Sequence, residues 1–145
     1  MTLRLLSVQV VKFWDLIKYA LGQVEKIGSD EELEVYNRLF AALLSDKAQC
    51  FIVFDGGEEV RAVCVTELRY DELRATKSLH IRCLYAFKAA SNEVWIKEFE
   101  AVKEMAKREG CSRITFETSN PRIKSIAKDI GAVEISTNLK VEVGV

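Results

Sequence analysis

The chain of 145 residues has one proline, one histidine and no long apolar run. A lone Pro121 leaves no Pro-rich spacer that would split the chain into domains. His80 and four dispersed cysteines (Cys50, Cys64, Cys83, Cys111), none in a C-x-x-C pair, cannot assemble a metal cluster by spacing. The thiols are therefore expected to be reduced and mostly buried. The apolar stretch from Leu3 to Val11 is interrupted by Arg4 and Gln9 and closed by Lys12, and no small-residue cleavage pattern follows, which argues against a signal peptide. No run approaches the roughly 20 apolar residues of a membrane span. A cytoplasmic setting is the expectation from these absences. Neither a Walker A nor a G-x-G-x-x-G motif is present, so another kind of nucleotide-binding domain has little support. A formal net charge of −1, with both signs interspersed, supplies no general field for nucleic acid or anionic lipid.

What is present is the composition of one folded domain spanning residues 1–145, with 49% apolar and 30% charged residues. Leu3, Leu5 and the Val8–Val10 region predict a short first strand. Val10, Phe13, Trp14, Ile17, Leu21 and Val24 then recur at helical spacing, and Gly28-Ser29-Asp30 ends that helix. Leu33, Tyr36, Leu39, Phe40, Leu43 and Leu44 predict a second helix. Phe51–Phe54, bounded by Asp55-Gly56-Gly57, and the β-branched run Val60–Arg69 read as a hairpin. Leu79, Ile81, Cys83 and Tyr85 alternate with His80, Arg82 and Leu84 as a further strand. A helix through Trp95, Phe99, Val102 and Met105 runs to Gly110. A strand Ile114–Thr118, a helix after Pro121 carrying Ile123, Ile126, Ala127 and Ile130, and a closing strand with Ile135, Leu139 and Val141 buried complete the order β-α-α-β-β-β-α-β-α-β. This is an α/β domain with a mixed sheet.

That order resembles the GNAT-type N-acetyltransferase fold over nearly the whole chain. The most specific match is local: Asn120, Ile123, Ile126 and Gly131 stand at the spacing of the family's N-x-x-A-x-x-L-Y-x-x-x-G-F segment. The resemblance implies that Leu79–Tyr85 and Ile114–Thr118 are neighbouring parallel strands that splay apart. The exposed backbone near Leu84 and Tyr85 would then hold the pantetheine arm of acetyl-CoA or another acyl-CoA. It implies, too, that the loop Lys88-Ala89-Ala90-Ser91-Asn92-Glu93 would cradle the pyrophosphate at a helix N-terminus, with Asn120 near the cofactor.

The chain departs from the family at the positions that carry its chemistry. The family loop reads [R/Q]-x-x-G-x-[G/A], and here Ser91 and Glu93 stand where small, permissive residues are expected. Ser91 or Asn92 is an alternative N-cap of the helix. Ala127 occupies the position of the tyrosine that often protonates the departing thiolate, and Ala132 replaces the phenylalanine after Gly131. A positioned acid typically adds ~10²–10⁴-fold to a rate, so its loss slows acyl transfer without excluding it.

The candidate catalytic residues are His80 and Glu67 as bases, and Tyr85 or Ser125 as the acid in place of Ala127. Each has a plainer structural reading: a partly buried strand histidine, a solvent-facing strand glutamate, packing, and exposed surface. Asn120 reads equally well as an N-cap beside Pro121, and Lys88 as a solvated loop lysine. Arg113, Arg122, Lys124 and Lys128 suit an adenosine 3′-phosphate or another anion, with Asp129 offsetting them. Trp14, Tyr36, Trp95 and Phe99 sit on apolar stripes and are expected in the core. Two functions fit these residues: an acyl-CoA-dependent acyltransferase acting on an amine acceptor, and a non-catalytic protein that uses the same cleft to bind a partner. The acceptor is not legible, and a homodimer is left open.

Overall fold

A computed structural model describes residues 1–144. The chain runs β1 (Thr2–Arg4), α1 (Ser7–Lys12), α2 (Trp14–Val24), α3 (Glu32–Leu44), β2 (Ala48–Phe54), β3 (Val60–Asp71), β4 (Thr76–Ala86), α4 (Asn92–Arg108), β5 (Arg113–Phe116) and α5 (Pro121–Asp129). The five strands form one sheet in the order β1-β2-β3-β4-β5. The first three pairings are antiparallel and β4–β5 is parallel. The expected meander through residues 50–85 and the parallel neighbour of its last strand are both present.

Two packed layers cover the sheet because successive side chains of a strand point to opposite faces. Cys50, Ile52, Val63, Val65 and Cys83 meet Val10, Ile17, Ala20, Leu21 and Leu43 of α1–α3 on one face. Phe51, Cys64, Leu79 and Ile81 meet Val102, Met105 and Ala106 of α4 on the other. The continuous apolar run of β2 is thus a strand buried on both faces. Truncating Ile17 or Leu79, both fully buried, to alanine would cost about 2–5 kcal/mol. Trp14 packs edge-on against Tyr36 and Phe40.

The sequence reading is corrected at both ends. The first strand stops at Arg4, and Val8–Val10 belong to α1. The Gln9 side chain accepts a hydrogen bond from the Leu6 backbone N–H at 2.8 Å, which satisfies a donor at the start of that helix and favours helix over strand. Phe13, with φ −102° and ψ 9°, breaks the predicted first helix into α1 and α2. The expected closing strand does not form. Residues 132–144 are without regular structure, and Ile135, Leu139 and Val141 are 64%, 86% and 90% exposed instead of buried. Period-two alternation says which face a strand would bury, but a strand also needs a partner edge, and alternation carries no information about that.

Candidate functional site

The site begins where two strands part. β4 and β5 pair from Ser78–Arg113 to Ile81–Phe116, yet β4 continues to Ala86. At the same point the β3–β4 register shifts: Val65 faces Cys83 and Thr66 faces Ile81, so Arg82 is an extra residue in a β-bulge. A bulge bends its strand and sharpens the local twist. Here the bend coincides with the end of the β4–β5 ladder, so the β5-facing backbone of the segment from Arg82 to Ala86 has no strand partner among the described residues. The opening is part of a largely apolar cleft of about 590 Å³ that reaches Leu84, Phe116, Thr118, Ile123 and Ala127.

The loop before α4 closes one side of that cleft. Phe87 and Lys88 donate their backbone N–H groups to the Arg61 carbonyl, and the Ser91 hydroxyl caps α4 by accepting from Val94 N–H. Among the described residues, the backbone N–H groups of Ala89, Ala90, Ser91, Asn92 and Glu93 donate to no protein group. Free amides at a helix N-terminus are suited to an anion. Arg122 of α5 reaches across and donates to the Ala90 carbonyl at 2.7 Å. Asn92 donates to Asp129 at 3.1 Å. These two contacts fix the loop against α5.

Lys88 and Asn120, two expected cofactor contacts, already have protein partners. The Lys88 ammonium lies 2.7 Å from Asp55 and also contacts Glu59, both on the β2–β3 hairpin. Hydrogen bonding to these carboxylates raises the Lys88 pKa. The Asn120 side chain accepts from Arg122 N–H at 2.9 Å as the N-cap of α5, beside Pro121 in its first turn. Asn120 still lines the cleft, as do Leu84, Tyr85, Lys88, Ala89 and Ala90. Glu93 is exposed in the first turn of α4.

The expected bases lie on the α1–α3 face of the sheet. Glu67 pairs across from His80, which pairs in turn with Thr115. His80 is 6% exposed, and its Nδ1 is 2.9 Å from the Thr115 hydroxyl. Burial lowers its pKa, and the Arg69 charge adds to the effect. The imidazole is outside the residues that line the cleft. Glu67 is held by Arg69 at 2.8 Å and lies 4.0 Å from Arg82. Arg82 itself donates to Glu25, past the end of α2, at 2.5 Å. Tyr85 packs edge-on to Tyr19 and Phe87 with ring centroids 5.9 and 5.0 Å apart, and the adjacent Tyr19 hydroxyl raises its pKa. Ser125 is exposed and outside the cleft lining.

Sequence reasoning passed over Glu117. It stands one residue beyond the last β4–β5 rung and lines the cleft, and its only signal in the sequence is its place at a strand end. The thiols behave as expected for Cys50, Cys64 and Cys83, which are free and buried. Burial pushes the Cys50 and Cys83 thiols up to about 12. No helix among the described residues is long and apolar enough to cross a membrane.

The whole architecture is shared with solved acetyltransferase structures. A probable acetyltransferase superposes with a TM-score of 0.77 at 13% identity, covering 99% of this chain and 98% of that one. A predicted acetyltransferase from Clostridium acetobutylicum, solved with acetyl-CoA, superposes at 0.73 with 11% identity, covering 98% and 95%. Glucosamine-6-phosphate N-acetyltransferase from Arabidopsis thaliana superposes at 0.68 with 17% identity, covering 99% and 98%. No protein-family model and no curated protein sequence matches the chain. At these identities the likeness shows the fold: the chain has the fold of the GNAT-type acetyltransferases over nearly its full length.

Proposed function

We propose that the protein is an acyl-CoA-dependent N-acyltransferase that transfers an acyl group to an amine. The observation that carries this reading is the adjacency of two features: the β4–β5 opening at Arg82 and a loop whose residues Ala89 and Ala90 line the same cleft and whose amides from Ala89 to Glu93 are unpartnered among the described residues. The amides fit a pyrophosphate, and the apolar walls at Leu84 and Ile123 fit a slender thioester-bearing arm. Acyl-CoA would supply the acyl group as a thioester. In the transfer, the acceptor nitrogen forms a C–N bond to the carbonyl carbon as the C–S bond breaks, one proton leaves the nitrogen and one is taken up by the sulfur.

The chain's own residues contribute mainly position and field, which account for much of the catalysis in such reactions. Arg122 holds the loop through the Ala90 carbonyl. Glu25 and Arg82 tie the end of α2 to the bulge. Ala127 lines the cleft without a hydroxyl, so no side chain at that position can return a proton to the thiolate. A thiol of ordinary pKa, near ~8.5, is nonetheless a workable leaving group near neutrality.

A second reading, a non-catalytic binding protein on the same fold, is favoured by Lys88 being engaged by Asp55 and Glu59 and by the Glu93 charge beside the amides. Thermal unfolding with and without acetyl-CoA, together with thiol release in the presence of amines, separates the two. Stabilisation with thiol release supports the transferase. Stabilisation without turnover across an amine panel supports the binding protein, and no response to acetyl-CoA at millimolar concentration removes the transferase reading.

A further inference from the structure

The carboxylates around the cleft differ in how they are engaged. Glu98 accepts from Thr2 and from the terminal amine of Met1. Asp55 and Glu59 hold Lys88, Glu25 holds Arg82, and Glu67 holds Arg69. Glu117 lines the cleft and, among the described residues, has no cation within ion-pair distance. It stands directly after Phe116, where β5 leaves β4, and its charge is felt by both His80 and Arg82. The guanidinium of Arg82, which also lines the cleft, has its charge met by Glu25 and Glu67.

We infer that Glu117 is the anchor for the acceptor's ammonium group, and that the acceptor is an alkyl primary amine with no carboxylate next to its nitrogen. This deepens the transferase reading and rests on it. An amine arrives at neutral pH as an ammonium, and a free carboxylate at the mouth of the opening attracts it, whereas an α-amino acid would bring its own carboxylate against Glu117. The bound ammonium loses one proton to water before its nitrogen attacks the thioester carbonyl. The C–N bond then forms, the C–S bond breaks, and the second proton shed by the nitrogen is matched by one taken up by the leaving sulfur, so the net reaction releases one proton.

The test uses the full chain, acetyl-CoA and a matched pair of acceptors, butylamine and 2-aminopentanoate, which differ by a carboxylate on the carbon bearing nitrogen. Thiol release is followed for the wild type, Glu117→Gln, Glu117→Asp and the surface control Glu72→Gln. The wild type should prefer butylamine. Glu117→Gln should raise the butylamine KM on the order of fivefold, as removal of one exposed ion pair allows, with kcat little changed and the preference over 2-aminopentanoate narrowed. Glu117→Asp should recover part of the loss, and Glu72→Gln should behave as wild type. A general structural defect would raise both KM values together. Binding of acetyl-CoA with an unchanged acceptor preference in Glu117→Gln, or with no turnover of butylamine, overturns the inference while leaving the cofactor site standing. Failure of acetyl-CoA to bind overturns both.

Discussion

Ile81 and Phe116 form the last rung between β4 and β5, and the β-bulge begins at the very next residue, Arg82. One local irregularity therefore ends a ladder, bends a strand and opens a cleft.

Acetyl-CoA should stabilise the native protein. At a hundredfold excess over Kd the linkage contribution is about 2.7 kcal/mol, a shift of several degrees in Tm for a domain of this size. Glu93→Ala should enlarge the response, because Glu93 places a negative charge in the first turn beside the unpartnered amides. Calorimetric titration of both proteins checks the order of affinities.

Asn120→Ala should lower stability by about 1 kcal/mol through loss of the α5 cap, read as a lower denaturant midpoint at unchanged slope. Asn120→Ser retains a capping oxygen and should keep most of that stability. If Asn120 also touches the cofactor, the serine variant will bind acetyl-CoA more weakly than wild type despite its intact fold. Equal affinity would leave Asn120 with the capping role alone.

His80 should make the fold acid-sensitive. Its folded pKa lies below the ordinary value of 6.5, chiefly through burial. The unfolded chain therefore binds the proton first as pH falls. Stability is complete above about 6.5 and declines as pH drops through that value towards the folded pKa. Denaturant unfolding from pH 8 to about 5 should show this decline, and His80→Gln should flatten the part of it above the carboxylate range.

Truncation after Gly131 should change stability by no more than about 0.5 kcal/mol, the usual range for surface changes away from a packed feature. Ile135, Leu139, Val141 and Val143 are all exposed, so their removal takes little out of the core. A loss of several kcal/mol on urea unfolding would show that the tail packs on the domain in solution.

The alternation of β4, the unbroken apolar run of β2 and the stripes of α2 to α4 were legible because each reports burial against one or two layers, and burial is written in side-chain polarity. The tail has the same alternation in Ile135 to Val143 without a partner strand, so there the pattern misleads. Among the residues singled out by resemblance, Lys88, Ala89, Ala90 and Asn120 line the cleft, whereas Ser91, Asn92 and Glu93 are outside its lining. The engagement of Lys88 by Asp55 and Glu59, more than 25 residues away in the chain, was not recognisable.

By itself the sequence determined the element types from α2 to α5, the burial of Cys50, Cys64 and Cys83, and the absence of glycine and tyrosine from positions 91, 93 and 127. These follow from local periodicity and residue identity. Only the tertiary structure decided where β4 leaves β5, that the His80 imidazole is held by Thr115 outside the cleft lining, and that Glu117 stands at the opening without a partner cation among the described residues. Each of those depends on strand register, and register is set by the packing of residues distant in the chain.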